Sequence, residues 1–159
     1  MIELKKKIRD ELVLKLETEL QEIESAALSS RAYAIQDDLK QEGKYDTRAI
    51  EASYMASAQQ ARVDELKLDL QMIKELEVEK NSKSVELGSL VQIEQNNKMT
   101  FMFISSALGG SVLNVDNQII LVISVFSPIG SEALTLQKGD RFEVETPKEL
   151  REYLIKEIY

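Results

Sequence analysis

The sequence contains no cysteine and no histidine. Disulfides and thiolate metal centres are therefore excluded. A zinc site or a histidine general base would have to do without its commonest residue. There is no tryptophan, and only two prolines, Pro128 and Pro147. Positive charge is in deficit: 20 Lys and Arg stand against 28 Asp and Glu, for a formal net charge of -8. That balance argues against wrapping a phosphate backbone through bulk positive charge. No apolar stretch approaches the ~20 residues that span a bilayer. The longest apolar run, residues 119–125, has the length of a strand. With no apolar run ahead of a cleavage-type site, the cytoplasm is the expected compartment, with no membrane partner. What is present is foldable: 159 residues, 43% hydrophobic and 30% charged. Such a chain makes one ordinary domain or two small ones.

The texture changes near residue 80. Residues 1–80 hold a single glycine and no proline, and are rich in Leu, Glu, Lys, Gln and Ala, which are helix formers. Residues 81–159 hold both prolines, the other five glycines and most of the Val, Ile and Phe runs. The expected boundary lies in the polar stretch 81–84.

Two heptad-like tracks run through the first half. Leu16, Leu20, Ile23, Ala27, Ser30 and Ala34 form one; Ala52, Ala56, Gln59, Val63, Leu66, Leu70 and Ile73 form the other. Both are seams of the kind that pack helix on helix. Paired antiparallel, Leu16 meets Ile73, Leu20 meets Leu70, Ile23 meets Leu66 and Ala27 meets Val63. Ser30 then meets Gln59, Ala34 meets Ala56, and the numbers of every pair add to 89 or 90. A constant total describes a hairpin turning near residue 45. Gly43 sits there, where a helix end favours a left-handed residue, and Asp46 and Thr47 follow as candidate N-caps. Each arm of about 35 residues would be roughly 50 Å long. The distal seam is small, with Ala26, Ala27, Ser30 and Ala34 opposite Ala52 and Ala56, and is expected to be slender. The hairpin is expected to be monomeric; a dimerising coiled coil is the other reading.

The second half alternates like strands. Residues 99–104, 111–115, 119–125 and 141–145 are apolar or β-branched runs, bounded by Gly109-Gly110, Asp116-Asn117, Pro128 and Gly139-Asp140. Residues 131–136 are expected to form a short helix. Residues 148–159 read as a helix by propensity and as a final strand by the placing of Tyr153, Ile155 and Ile158-Tyr159. Gly109-Gly110 lacks the lysine and following helix of a phosphate loop and reads as a strand-linking turn. The architecture is α+β: an antiparallel helical hairpin (coiled coil) over residues 1–80, its tip near 43–47, then a small β-rich domain over 81–159.

Ser127-Pro128-Ile129-Gly130, Glu132-Ala133-Leu134, Lys138-Gly139-Asp140 and Thr146-Pro147 occur in an order that resembles the Gre family of bacterial transcription elongation factors. The spacing between Gly130 and Ala133 is one residue longer than the family's. The resemblance implies an FKBP-like C-terminal domain that docks on RNA polymerase, here through Phe126, Ser127, Pro128, Ile129 and Gly130. Ser-Pro also simply ends strands. It further implies a hairpin entering the polymerase secondary channel, with RNA and DNA met only inside the transcription complex. A prolyl isomerase pocket, the other use of such a fold, would lack a Trp floor.

In the family two tip carboxylates help hold a second Mg²⁺, shared with polymerase, that positions water for cleavage of backtracked RNA. The family pattern is Gly-Asp-x-x-Glu-Asn-Ala. Anchored on Gly43 and Ala49, the two acidic positions here carry Lys44 and Thr47. Asp46, with Glu42 just before the glycine, remains as a weak candidate carboxylate, and serves equally as a helix cap. Lys44, Tyr45, Asp46 and Arg48 are the candidate tip contacts to RNA, the triphosphate or polymerase; the charged ones read equally as solvated turn residues. No cofactor and no metal in the free protein are expected. The function expected is polymerase-bound regulation of elongation or initiation, without efficient cleavage and without an enzyme activity of its own. A true cleavage factor using Asp46, or a helical-hairpin chaperone or adaptor, are the alternatives.

Overall fold

The computed structural model describes the backbone of residues 1–38, 47–80 and 82–159, and within these the side chains of all but 30–38, 47–50, 52 and 53. Two long helices, α1 (Ile2–Asp38) and α2 (Thr47–Lys74), are followed by strands β1 (Leu90–Gln95), β2 (Lys98–Ser105), β3 (Val112–Val115) and β4 (Gln118–Ser124). A short helix α3 (Pro128–Ala133) and strands β5 (Arg141–Glu145) and β6 (Leu150–Ile158) complete the chain. The architecture is the expected α+β one, a helical hairpin and then a six-stranded sheet. By contacts the chain divides into two compact units. One is Leu14–Gln71; the other joins Met1–Val13 to Met72–Tyr159. The division by contacts therefore runs through both helices.

Within Leu14–Gln71 the seam residues are the ones withdrawn from water. Leu16, Val63 and Leu66 are buried, and Leu20, Ile23, Ala27, Ala56, Gln59 and Leu70 are half-buried. Arg62 reaches Glu19 at 2.7 Å and Lys67 reaches Glu24 at 3.0 Å. The second pair sits within one residue of the expected antiparallel register. One detail differs from expectation. Ala26 is exposed, because it lies one residue off the seam and so points away from it. Beside the seam, Ala27, Ala56 and Val63 border a hollow of about 250 Å³. Truncated side chains take away the atoms that would fill it. The expected turn at 43–46, and the side chains of Ser30, Ala34 and Ala52, lie outside the described residues.

In the other unit the strand order is β3-β4-β2-β1-β6-β5, antiparallel throughout except for the parallel pair β2–β4. Two hairpins close with two-residue turns, Asn96-Asn97 and Asp116-Asn117. All four residues have positive φ, between 50° and 61°. Two consecutive left-handed residues give the turn whose twist matches its flanking strands, and Asn and Asp tolerate that conformation best. β1 was not anticipated, since Leu90–Gln95 mixes Gln and Glu into a short apolar run. Residues 148–159 resolve as the strand β6. Its residues are good helix formers, but it is paired on both sides, by β1 and β5, and alternation puts Tyr153 and Ile155 in the core. Burial outweighs propensity here.

One face of the sheet carries the core cluster of Val91, Ile93, Met102, Ile104, Phe142, Val144, Tyr153 and Ile155. The rings of Phe142 and Tyr153, direct cross-strand partners, stack at 5.0 Å. On the other face Leu90, Phe103 and Val122 lie in register across three strands, all fully buried. The opening of α1 belongs to this unit, with Leu4, Lys5, Ile8 and Leu12 buried. The Lys5 ammonium donates to the backbone oxygens of Lys80 at 2.9 Å and Tyr159 at 3.0 Å. Burial lowers its pKa from the ordinary lysine value. Lys7 pairs with Asp116 at the β3–β4 turn, 2.7 Å away. The connection from α2 is held as well. Val85 donates its N–H to Leu136 and accepts one from Thr135. Gly88, at φ +84°, lies so close to Glu77 that an added Cβ would stand 2.8 Å from its carbonyl oxygen.

Candidate docking site

The family-like segment after β4 is built around Ser124, a residue that belongs to no motif. The Ser124 carbonyl oxygen accepts the Ser127 hydroxyl at 2.7 Å and the Ser127 N–H at 3.0 Å. The Ser124 hydroxyl accepts the Phe126 N–H at 3.2 Å. Ser127 then caps α3. It has extended backbone angles, and its hydroxyl accepts the Gly130 N–H at 3.1 Å. Pro128 follows at the first helical position, where its missing N–H costs nothing and its fixed φ suits the helix. This cap is why α3 spans Pro128–Ala133, three residues ahead of the expected 131–136. The sequence signal was available: serine, then proline, reads as a helix start as well as a strand end.

Two glycines press on Ser124. A Cβ at Gly130 would stand 2.0 Å from the Ser124 carbonyl oxygen, and one at Gly109 would stand 2.6 Å from the Ser124 Cβ. Gly130 is thus required by close approach. Gly109-Gly110 is the strand-linking turn expected, but its two residues differ in role. Gly109 admits Ser124, while Gly110 supplies a positive φ of 90° in open space.

The loop after β2, the segment 123–129 and the β5–β6 turn border a groove of about 670 Å³. Ser127, Pro128 and Ile129 line it, and Pro147 lines it too, so both prolines of the chain stand at its edge. Glu145 is its one charged lining residue. Gly130 is buried behind it, and Phe126, beside it, is 83% exposed. The five expected docking residues are therefore brought together on one held turn. Sequence reasoning missed Ser124 and the groove contributions of Leu108 and Ile123, none of which carries a motif signal.

The tip is different. Glu42, Lys44, Tyr45 and Asp46 lie outside the described residues; Arg48 lies in the first turn of α2, with its side chain outside them. Among the described residues no three His, Cys, Asp or Glu side chains come together as a metal-ligand set. No helix among them is long and apolar enough to cross a membrane.

The family described as "Transcription elongation factor, GreA/GreB, C-term" matches residues 80–159. No curated protein sequence matches the chain. Among solved structures, a GreA factor homolog 1 (Gfh1) protein of Thermus thermophilus is 22% identical, over 92% of this chain and 94% of that one, with a TM-score of 0.38. Gfh1 of Thermus aquaticus is 24% identical over 91% and 92%, with a TM-score of 0.40. A GreA/GreB factor from Nitrosomonas europaea is 20% identical over 60% and 78%, with a TM-score of 0.37.

Proposed function

The chain belongs to the GreA/GreB family of transcription elongation factors, and from that premise we propose that it is a monomeric RNA polymerase-binding regulator that works without efficient transcript cleavage. The β-domain docks on polymerase through residues 126–130, and the hairpin, about 50 Å long, enters the secondary channel. It meets RNA and DNA only there, in the cytoplasm. The observation that carries this reading is the chemistry of the tip sequence. Where the family pattern has two carboxylates, this chain has Lys44 and Thr47. An ammonium repels a divalent cation, and Asp46 alone is a poor holder of a hard, water-clad Mg²⁺. The donor set does not fit a second metal. Lys44 and Arg48 would instead approach phosphate oxygens, and the hairpin would obstruct the channel or disturb substrate loading.

The test is a stalled, backtracked bacterial elongation complex supplied with Mg²⁺ and this protein. The reading expects altered elongation or initiation with no burst of shortened transcripts. Strong cleavage that Asp46→Ala abolishes would favour the alternative, a true cleavage factor with Asp46 as its carboxylate.

A further inference from the structure

Resting on the docking role proposed above, we infer that Phe126 is the anchor of the contact, and that the polymerase surface it meets offers an apolar socket and not a charged partner. Phe126 is 83% exposed, more than the other large apolar side chains among the described residues, such as Ile119 at 64% and Leu150 at 60%. Its ring does not turn back into the neighbouring groove, whose lining it does not join. Nor does it hang from a loose loop. Its N–H is held by Ser124, the next residue is held twice by the Ser124 carbonyl, and the turn runs directly into a capped helix. A ring with two rotatable bonds on a backbone already fixed loses little freedom on binding, which is the property of a hot-spot aromatic.

The surroundings indicate what it binds. Almost a third of this chain is charged, yet neither 105–111 nor 124–131 contains a charged residue. The groove between those segments adds only Glu145. A neutral surface of this kind gives an ionic partner nothing to pair with, whereas an aliphatic or aromatic socket gains from the removal of the ring from water.

The experiment measures binding of the full chain to bacterial core RNA polymerase by interferometry, at about 0.1 and about 0.5 M salt. Compared with wild type are Phe126→Ala, Phe126→Leu and, as a control beside the β3–β4 turn, Ile119→Ser. Thermal melting checks that each variant is folded, as expected for side chains so exposed. Phe126→Ala should bind about 10- to 100-fold more weakly. Phe126→Leu should stay within about threefold of wild type, because it keeps most of the apolar volume. Ile119→Ser should bind as wild type does. The ratio of wild-type to Phe126→Ala affinity should be the same at both salts. Wild-type binding with an undiminished Phe126→Ala overturns the anchor and leaves the docking role standing. A ratio that collapses at high salt overturns the apolar socket. Failure of the wild type to bind polymerase removes the docking role itself, and this inference with it.

Discussion

Among the described residues of the hairpin body, Leu14–Gln71, the apolar side chains withdrawn from water form a narrow seam, and they recur at steps of three and four. In the β-bearing unit the decisive contacts join distant parts of the chain. β1 pairs with β6, β2 pairs in parallel with β4, and Lys5 bonds to Lys80 and Tyr159. The hairpin is specified by period, and it leaves a hollow beside Ala27. The other unit is specified by pairing and by close approach, and at Gly130 it has no room for a single added methyl group. The candidate docking turn sits at that close approach, which suits a surface that must keep its shape before a partner arrives.

The largest effect should come from breaking that close approach. Gly130→Ala would set a Cβ against the Ser124 carbonyl, and should cost about 3 kcal/mol or more in chemical denaturation. A change below about 1 kcal/mol would mean that the turn can relax and is not held as described.

Next is a pair of changes in the hairpin. Leu66→Ala, at a fully buried seam position, should cost about 3 kcal/mol. Ala27→Leu, placed at the hollow, should instead gain about 1 kcal/mol by filling it. If the two proved equally destabilising, the seam would be packed tightly along its whole length and the contrast between the regions would fail.

Lys5 gives a pH-dependent comparison. Burial lowers its folded pKa from 10.5, so the unfolded chain holds that proton more tightly. Between the lowered value and 10.5 the unfolded state binds more protons, and stability from this group rises with pH. Below that window the buried ammonium opposes folding in full. The difference in unfolding free energy between wild type and Lys5→Met should therefore shift toward wild type as pH rises toward 10.5. A flat difference across alkaline pH would show that burial does not act on this group.

Smallest of all should be Arg62→Ala. Its bridges to Glu19 and Glu65 are partly exposed, and pairs of this kind contribute up to about 1 kcal/mol.

How much could be read in advance follows the same division. The hairpin was legible because a helix seam is a local, periodic property. Every described seam residue from Leu16 to Ile73 is buried or half-buried, as expected. The strands at 99–104 and 141–145 were legible from apolar alternation. β1 was not, because its partners supply the burial that Gln92 and Glu94 do not advertise. The last segment stayed ambiguous because Leu150–Ile158 has helical propensity that only pairing on both sides overrides. At the candidate docking turn, the resemblance pointed to residues 126–130. Nothing in the sequence indicated that Ser124 would hold them: its carbonyl oxygen is one that any residue would possess, and its hydroxyl, which accepts the Phe126 N–H, belongs to no motif.

The central claim is that the tip sequence, carried by a docked hairpin, lacks the carboxylates that cleavage requires. The most direct measurement is transcript shortening in a backtracked elongation complex, with the wild-type protein beside the double variant Lys44→Asp, Thr47→Glu. Little shortening is expected with wild type, and at least a roughly tenfold faster reaction with the double variant, about 1.4 kcal/mol off the barrier. Strong shortening by the wild type, abolished by Asp46→Ala and no faster in the double variant, would contradict that claim.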